Sequence, residues 1–300
     1  MKISLIIIGY NTLNTLKHLL VSINKLDYKK PCEVVYVDDG SKDMSYNYFN
    51  DFNLKYDKKS FAFSKNRGRV FARQKGVNIS SGKWLCFLSS NVVVDPSLLK
   101  KYLIAINHNN VIAVGGGIKY KSKDSVFEKY LNNKNRGVQK YILYSKLQYH
   151  NLLFGNCIIK RDVFKKLSFD LTFTSYGGEE LDFGYRLSLL HAGSIIACKH
   201  AFVTRIYHPD FPNHCLRQYE YGLKNFNLLV FELKKRVVHF PFLLNNFFVF
   251  RWFAFLFFHL SVRLYTIHFI GISVYMIKLG SLCAILSGYY QSKLLHTSQN

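Results

Sequence analysis

Ile3-Ser-Leu-Ile-Ile-Ile-Gly-Tyr-Asn11 is an apolar run that stops abruptly at a glycine and two polar tips. Between Ile3 and Ile8 no wet and dry positions alternate, so the run predicts a strand covered on both faces. Leu13, Leu16, Leu20 and Ile23 then keep to one helical face, with Asn11 or Thr12 placed to cap that helix. The pattern repeats. Glu33 to Val37 reads as a strand and ends at Asp38-Asp39-Gly40-Ser41; Arg69 to Ile79 reads as a helix. Trp84 to Leu88 is a third strand, ending at Ser89-Ser90-Asn91, and Asp95-Pro96-Ser97 opens a helix through Leu98, Leu99, Tyr102 and Leu103. Val111 to Val114 is strand-like again and stops at Gly115-Gly116-Gly117. Alternating strands and helices predict an α/β fold, a mostly parallel sheet with right-handed crossovers and helices on its faces. Ligands of such sheets bind beyond the carboxyl ends of the strands. Tyr10-Asn11, Asp38-Asp39 and Ser89-Ser90-Asn91 all fall there.

Further along, residues 118–150 are rich in Lys, Tyr and Asn, with a helical patch around Phe127 and Leu131. They read as the edge of a second substrate site or as a mobile connection. Phe154 to Phe164 reads as a strand leading into a helix. Ser175-Tyr-Gly-Gly-Glu-Glu-Leu-Asp-Phe-Gly-Tyr-Arg-Leu187 follows, in which Leu181, Tyr185 and Ser188 recur at helical spacing. A helix starting near Glu179 would carry Glu179, Glu180 and Asp182 in its first turn. Acids there either complement the helix dipole or supply a general base. Ser194 to Cys198 is the last strand of this block, and Tyr207-His208-Pro209-Asp210 follows it.

Composition bounds the partners. The 300 residues carry 41 Lys and Arg against 18 Asp and Glu, a formal charge of +23. Such an excess suits nucleic acid, an anionic membrane or phosphate-bearing substrates. No RNP-like, zinc-finger or helix-turn-helix pattern accompanies it, so nucleic acid is not an expected partner. Six cysteines stand singly without CxxC or Cys/His metal spacing, which predicts free thiols in a reducing compartment. The N-terminus reads as a buried strand and not as a signal peptide, placing the bulk of the chain in the cytoplasm.

Character changes near residue 237. No Asp or Glu occurs beyond Glu232, and two apolar stretches, roughly 240–262 and 267–289, are interrupted by Arg251, His259 and Lys278. Lys234, Lys235, Arg236, Arg263 and Lys293 flank them and favour an anionic cytoplasmic leaflet. Helices lying in the interface, or dipping in as a hairpin, fit better than two spans. The alternative is a buried helical pair or a dimer interface.

Taken in order, six motifs resemble the family 2 glycosyltransferases, inverting enzymes with the GT-A fold. They are Ser4 to Asn11, Val37-Asp-Asp-Gly-Ser41, Asn66-Arg-Gly68 with Ala72-Arg73, Phe87-Leu-Ser-Ser-Asn91, Gly155-Asn156 with Lys160-Arg161, and Gly177 to Leu187. The resemblance implies a GT-A domain over 1–236, with a nucleotide-binding half over about 1–117 and an acceptor half over about 118–236. Residues 237–300 would form an aromatic, basic, membrane-associating helical segment. Tyr10, Asn11, Asp38, Asp39, Arg69, Arg73, Ser89, Ser90 and Asn91 would contact a UDP- or GDP-linked sugar. Gly155, Asn156, Arg161 and Gly178 would lie on the acceptor side. Glu180 falls where the family has its catalytic aspartate and would deprotonate the acceptor hydroxyl, with Glu179 and Asp182 shaping its electrostatics.

One departure stands out. The family carries Asp-x-Asp where this chain reads Ser89-Ser90-Asn91, and hard cations prefer anionic oxygen. Asn91 and His208 are left as weak ligands for Mg²⁺ or Mn²⁺; otherwise Arg69, Arg73, Arg205 or lysines would neutralise the leaving diphosphate. The expected function is sugar transfer with inversion to a glycan or lipid-linked acceptor of the cell surface. It would take place at the cytoplasmic face of the inner membrane, with the protein peripheral or hairpin-anchored there. The alternative is a catalytically silent scaffold for a partner transferase, and a homodimer is the other assembly to consider.

Overall fold

The computed structural model describes residues 2–244, 248–266 and 273–297. In chain order the elements are β1 (Ile3–Gly9), α1 (Leu13–Asn24), β2 (Cys32–Asp38), α2 (Ser45–Asp51), β3 (Asp57–Ala62), α3 (Arg69–Ile79), β4 (Trp84–Ser89), β5 (Val92–Val94) and α4 (Leu98–Ile106). Then come β6 (Ala113–Ser122), α5 (Ser125–Leu131), β7 (Asn156–Lys160), α6 (Glu179–Leu190) and β8 (Ile195–His208). The C-terminal helices are α7 (Phe211–Lys224), α8 (Phe231–Val238), α9 (Phe248–Thr266) and α10 (Ser273–Thr297). Two compact units result: residues 1–121, 131–171 and 183–207 form one, and residues 122–130, 172–182 and 208–300 the other. This division departs from a boundary at 236, because α7 packs with α10 and belongs with the C-terminal helices.

The first unit is built on a sheet in the order β3-β2-β1-β4-β7-β6-β8-β5. β3, β2, β1 and β4 run parallel, as the alternation of strand and helix requires, while β7 is antiparallel to both β4 and β6, and β5 to β8. The faces of β1 sort by parity. Ile3, Leu5 and Ile7 share a core with Leu16, Leu19, Leu20 and Ile23 of α1. Ile6 points to the other face, so close to α3 that a Cβ on Gly76 would meet its Cγ2 at 2.6 Å.

Several local expectations are corrected. Neither Asn11 nor Thr12 caps α1 with its side chain. Asn11 adopts the left-handed conformation (φ 52°) and turns its Oδ1 to the Lys42 amide, so Asp43 Oδ2 accepts from Leu13 N instead. α2, β3 and β5 add to the elements that the sequence pattern predicts; β3 is polar and largely exposed, without an apolar signature. β6 does not stop at Gly115-Gly116-Gly117 but runs through the glycines to Ser122. The glycines make room: a Cβ on Gly116 would meet Tyr102 Oη and Asn156 Nδ2 at 2.3 Å.

The second unit is helical. α10 is its spine, buried from Cys283 to Tyr290 and packed on α7 and α9. Backbone meets backbone there: a Cβ on Gly222 would meet Ile285 O at 2.0 Å, and one on Gly288 would meet Tyr219 O at 2.1 Å. Asp124 ties three elements of this unit, accepting from Phe127 N (2.9 Å), Phe211 N (3.1 Å) and Tyr265 Oη (2.5 Å). Of the two apolar stretches, residues 245–247 and 267–272 lie outside the described residues. No helix among the described residues is long and apolar enough to cross a membrane.

Candidate functional site

The parallel register decides what meets at the edge of the first sheet. Gly9 stands beside Asp38, and Ile8 beside Ser89, so the tips of β1, β2 and β4 emerge together. The chain laces these tips with its own polar groups. Asn11 N donates to Ser41 Oγ at 2.8 Å, and Lys42 N donates to Asn11 Oδ1 at 2.8 Å. Asp38, buried, accepts from Ser41 N (2.7 Å) and Tyr36 Oη (3.2 Å), which makes it the turn former for Gly40-Ser41.

Asp39 binds the next loop. Its Oδ1 accepts from Arg67 N at 2.8 Å and its Oδ2 from Gly68 N at 2.9 Å. Burial pushes its pKa up, and these two amides work against that rise. Gly40 (φ 75°) lets the loop close in, because a Cβ there would meet Lys65 C at 2.4 Å. Tyr10 is exposed beside this lacing. Arg73 is buried, and its guanidinium lies 5.0 Å from the centre of the Phe154 ring. Arg69 opens α3, with its Nη2 buried.

At the tip of β4, Ser90 is buried while Ser89 and Asn91 are half-buried. Asn91 O accepts from Ile206 N at 2.9 Å, and the adjacent Val92 pairs with Arg205. Arg205 is therefore the cation next to this corner. Its Nε is buried and has no hydrogen-bond partner among the described residues. A divalent metal does not fit the donor set at 89–91, which has two hydroxyls, one amide and no carboxylate. Among the described residues no group of three or more His, Cys, Asp or Glu side chains is arranged to hold a metal.

Two acceptor-side expectations are displaced. Arg161 donates from Nε to Gly82 O (2.6 Å), from Nη1 to Val77 O (3.3 Å) and from Nη2 to Ser80 Oγ (2.8 Å). It follows Lys160, the partner of Trp84, and so sits at the start of β4, the end of the sheet opposite Ser89. Antiparallel β7 puts it there. Asn156 is fully buried and spends its amide as a rivet, accepting from Tyr102 Oη at 2.7 Å and donating to Gly117 O and Ala201 O. Gly155 remains at the Ser89 end, where a Cβ would meet Ser89 Oγ at 3.1 Å.

The acid-bearing turn belongs to the second unit up to Asp182. Gly177 (φ 87°) and Gly178 (φ 90°) both take the left-handed region and swing the chain into α6. Tyr221 lies beneath both, 2.8 Å from a Cβ placed on Gly177 and 3.0 Å from one on Gly178. Asn225, buried, donates its Nδ2 to Ser175 O (2.9 Å) and Gly177 O (2.8 Å). Asn225 and Tyr221 carry no sequence signal for this role; only a buried Asn with two carbonyls within reach reveals it. α6 then starts with Asp182 N on Gly178 O (2.9 Å). Glu179 is buried, and burial together with its carboxylate pushes the Tyr221 hydroxyl up. Glu180 is half-buried. His208 belongs to the second unit, its ring against Phe127 (5.7 Å) and His214 (6.5 Å).

Residues 4–168 match the model of the glycosyl transferase family 2. The chain belongs to that family. Family 2 relatives include the uncharacterised glycosyltransferase YfnE of Bacillus subtilis, 24% identical over 171 residues, 57% of this chain and 44% of YfnE. The poly-β-1,6-N-acetyl-D-glucosamine synthase of Staphylococcus epidermidis is 27% identical over 128 residues, 42% of this chain and 31% of the synthase. The chain thus spans less than half the length of these two relatives. Among solved structures, S. aureus TarS 1–349 in complex with UDP superposes with a TM-score of 0.59 at 16% identity, covering 100% of this chain and 92% of that one. That likeness is one of fold, and the fold is GT-A.

Proposed function

We propose that this family 2 chain moves a sugar from a nucleotide-diphospho-sugar to a hydroxyl acceptor with inversion. The supporting observation is the register that brings Tyr10, Asn11, Asp39 and Ser89–Asn91 to one sheet edge, inside the matched region. In this reading Tyr10 stacks on the base and Asp39 accepts from a ring N–H with lone pairs that Arg67 and Gly68 leave over. Glu180 takes the proton from the acceptor hydroxyl. The acceptor oxygen attacks the anomeric carbon from the face opposite the nucleotide, and the bond to the diphosphate oxygen breaks with its electron pair.

The leaving diphosphate needs positive charge, and the 89–91 corner offers no carboxylate to recruit a metal. Arg205, beside that corner, and Arg73 are the cations assigned to it. The acceptor is a cell-surface glycan or lipid-linked sugar, by analogy with the poly-N-acetylglucosamine synthase.

Calorimetry with UDP and GDP, each with Mn²⁺ and with EDTA, tests the donor side. Binding that survives EDTA and weakens on Arg205→Gln supports the reading. Binding that requires Mn²⁺ removes the metal-free part of it, and no binding of either nucleotide favours a silent scaffold. The lack of a carboxylate at Ser89-Ser90-Asn91, where the resemblance implies Asp-x-Asp, favours that second reading.

A further inference from the structure

α9 buries one narrow stripe, Ala254, Phe258, Ser261 and Tyr265, at spacings of four, three and four residues. α10 covers that stripe, where a Cβ on Gly280 would meet Ser261 Cβ at 3.1 Å. Much of the rest of the circumference is apolar and exposed, interrupted by Arg251, His259 and Arg263. Trp252, Phe253, Phe255, Leu256, Leu260 and Leu264 are each 40–56% exposed. Contiguous exposed apolar patches of this kind mark interaction surfaces.

Charge says which medium. No acidic residue follows Glu232, while Arg251 and Arg263 rise from α9 itself, and Lys278 and Lys293 are exposed on α10. A second copy meeting this face would bring basic groups against basic groups with no carboxylate to offset them. Anionic lipid headgroups match these basic groups, and acyl chains match the aromatic rings. No described helix is fit to cross a bilayer, and the exposed apolar residues of α9 suit an in-plane seat.

We infer that α9 is an interfacial anchor, lying along a bilayer that contains anionic lipid with Phe253, Phe255 and Leu256 in the acyl boundary. This inference stands on the helix alone and holds whether or not the chain transfers sugar.

The whole chain carries its own reporter. It has two tryptophans, Trp84, which is buried, and Trp252, which is exposed. Vesicles of phosphatidylcholine with phosphatidylglycerol should therefore blue-shift the emission through Trp252 and carry the protein down on sedimentation. Phosphatidylcholine alone should do so far less, and salt should weaken the effect. The triple variant Phe253→Ser/Phe255→Ser/Leu256→Ser should lose at least about tenfold in partitioning. Arg251→Gln/Arg263→Gln leaves the rings in place and should lose about 30-fold on anionic vesicles only. Circular dichroism of both variants guards against misfolding. Three results overturn the inference: no blue shift on any vesicle; equal binding to neutral and anionic vesicles; or self-association in ultracentrifugation that the triple variant abolishes while vesicle binding is absent.

Discussion

Two acid-bearing turns in this protein are built in opposite ways. After β2, the acids are the mortar: Asp38 and Asp39 accept from backbone amides of Ser41, Arg67 and Gly68 and so hold their own loops in place. Ahead of α6, two glycines do the bending, and Asn225 and Tyr221 do the bracing from behind. Acids that build a turn are committed to the fold first and to any ligand second. Acids carried on a turn that other residues build can be spent on chemistry. Removing an acid should therefore cost stability in the first turn and activity in the second.

The largest effect should come from Glu180→Gln, which keeps size and loses basicity. Turnover of the donor should fall by about 10²–10⁴-fold, the range general bases supply. Nucleotide affinity and melting temperature should hold; turnover at the wild-type rate would remove Glu180 from its role. Asp39→Ala breaks the comparison from the other side. It strips two amides of their acceptor at a buried site and should cost about 3 kcal/mol in urea unfolding. A loss confined to nucleotide binding would show that the loop does not need this carboxylate.

Asn225→Leu sharpens the contrast, because it touches no acid. Leaving two carbonyls without a donor should cost about 2 kcal/mol, and kcat should drop while donor KM stays put. A change in KM with kcat unaltered would detach Asn225 from the acid turn.

A further contrast lies at the far end of the sheet, where acid serves structure alone. Glu33 is fully buried; burial pushes its pKa up, but hydrogen bonds from Ser4, Ser81 and Lys59 bring it from the ordinary 4.5 down to about 2. Folded and unfolded chains then differ in proton uptake between those values. The stabilisation is complete above pH 4.5 and is lost as pH falls toward 2. Acid unfolding of Glu33→Gln should accordingly be flatter across that window than that of the native chain.

Most of the sheet's parallel half was legible, because burial on two faces and turn chemistry at strand ends are local signals. Ile3 to Ile8 and Trp84 to Leu88 needed only their own composition, and α3 matched from Arg69 to Ile79. β3 was invisible, since Asp57-Lys-Lys-Ser60 has no apolar side to pattern. Arg161 was misplaced for a different reason. Its motif neighbours pointed to the acceptor side, but the antiparallel sense of β7 sends residue 161 to the opposite edge, and strand sense is not written in the strand. Asn156 looked like a ligand contact and proved to be a rivet for Tyr102 and β6.

The two C-terminal apolar stretches show the same limit. Both are apolar and interrupted by basic residues, yet α10 became the buried spine of its unit and α9 kept an aromatic face outside. What divided them is the close backbone approach of Gly222 and Gly288, which seats α10 on α7 and leaves α9 a single stripe to bury.

The amino-acid sequence by itself determined the alternation of the apolar strands with α1, α3 and α4, the family and the polar tips, since periodicity and turn preference act over a few residues. Tertiary structure alone decided which acids hold loops, which asparagines are rivets and which helix stays bare. Those outcomes depend on partners more than a hundred residues away in some cases, such as Tyr265 on Asp124, and no local rule reaches that far.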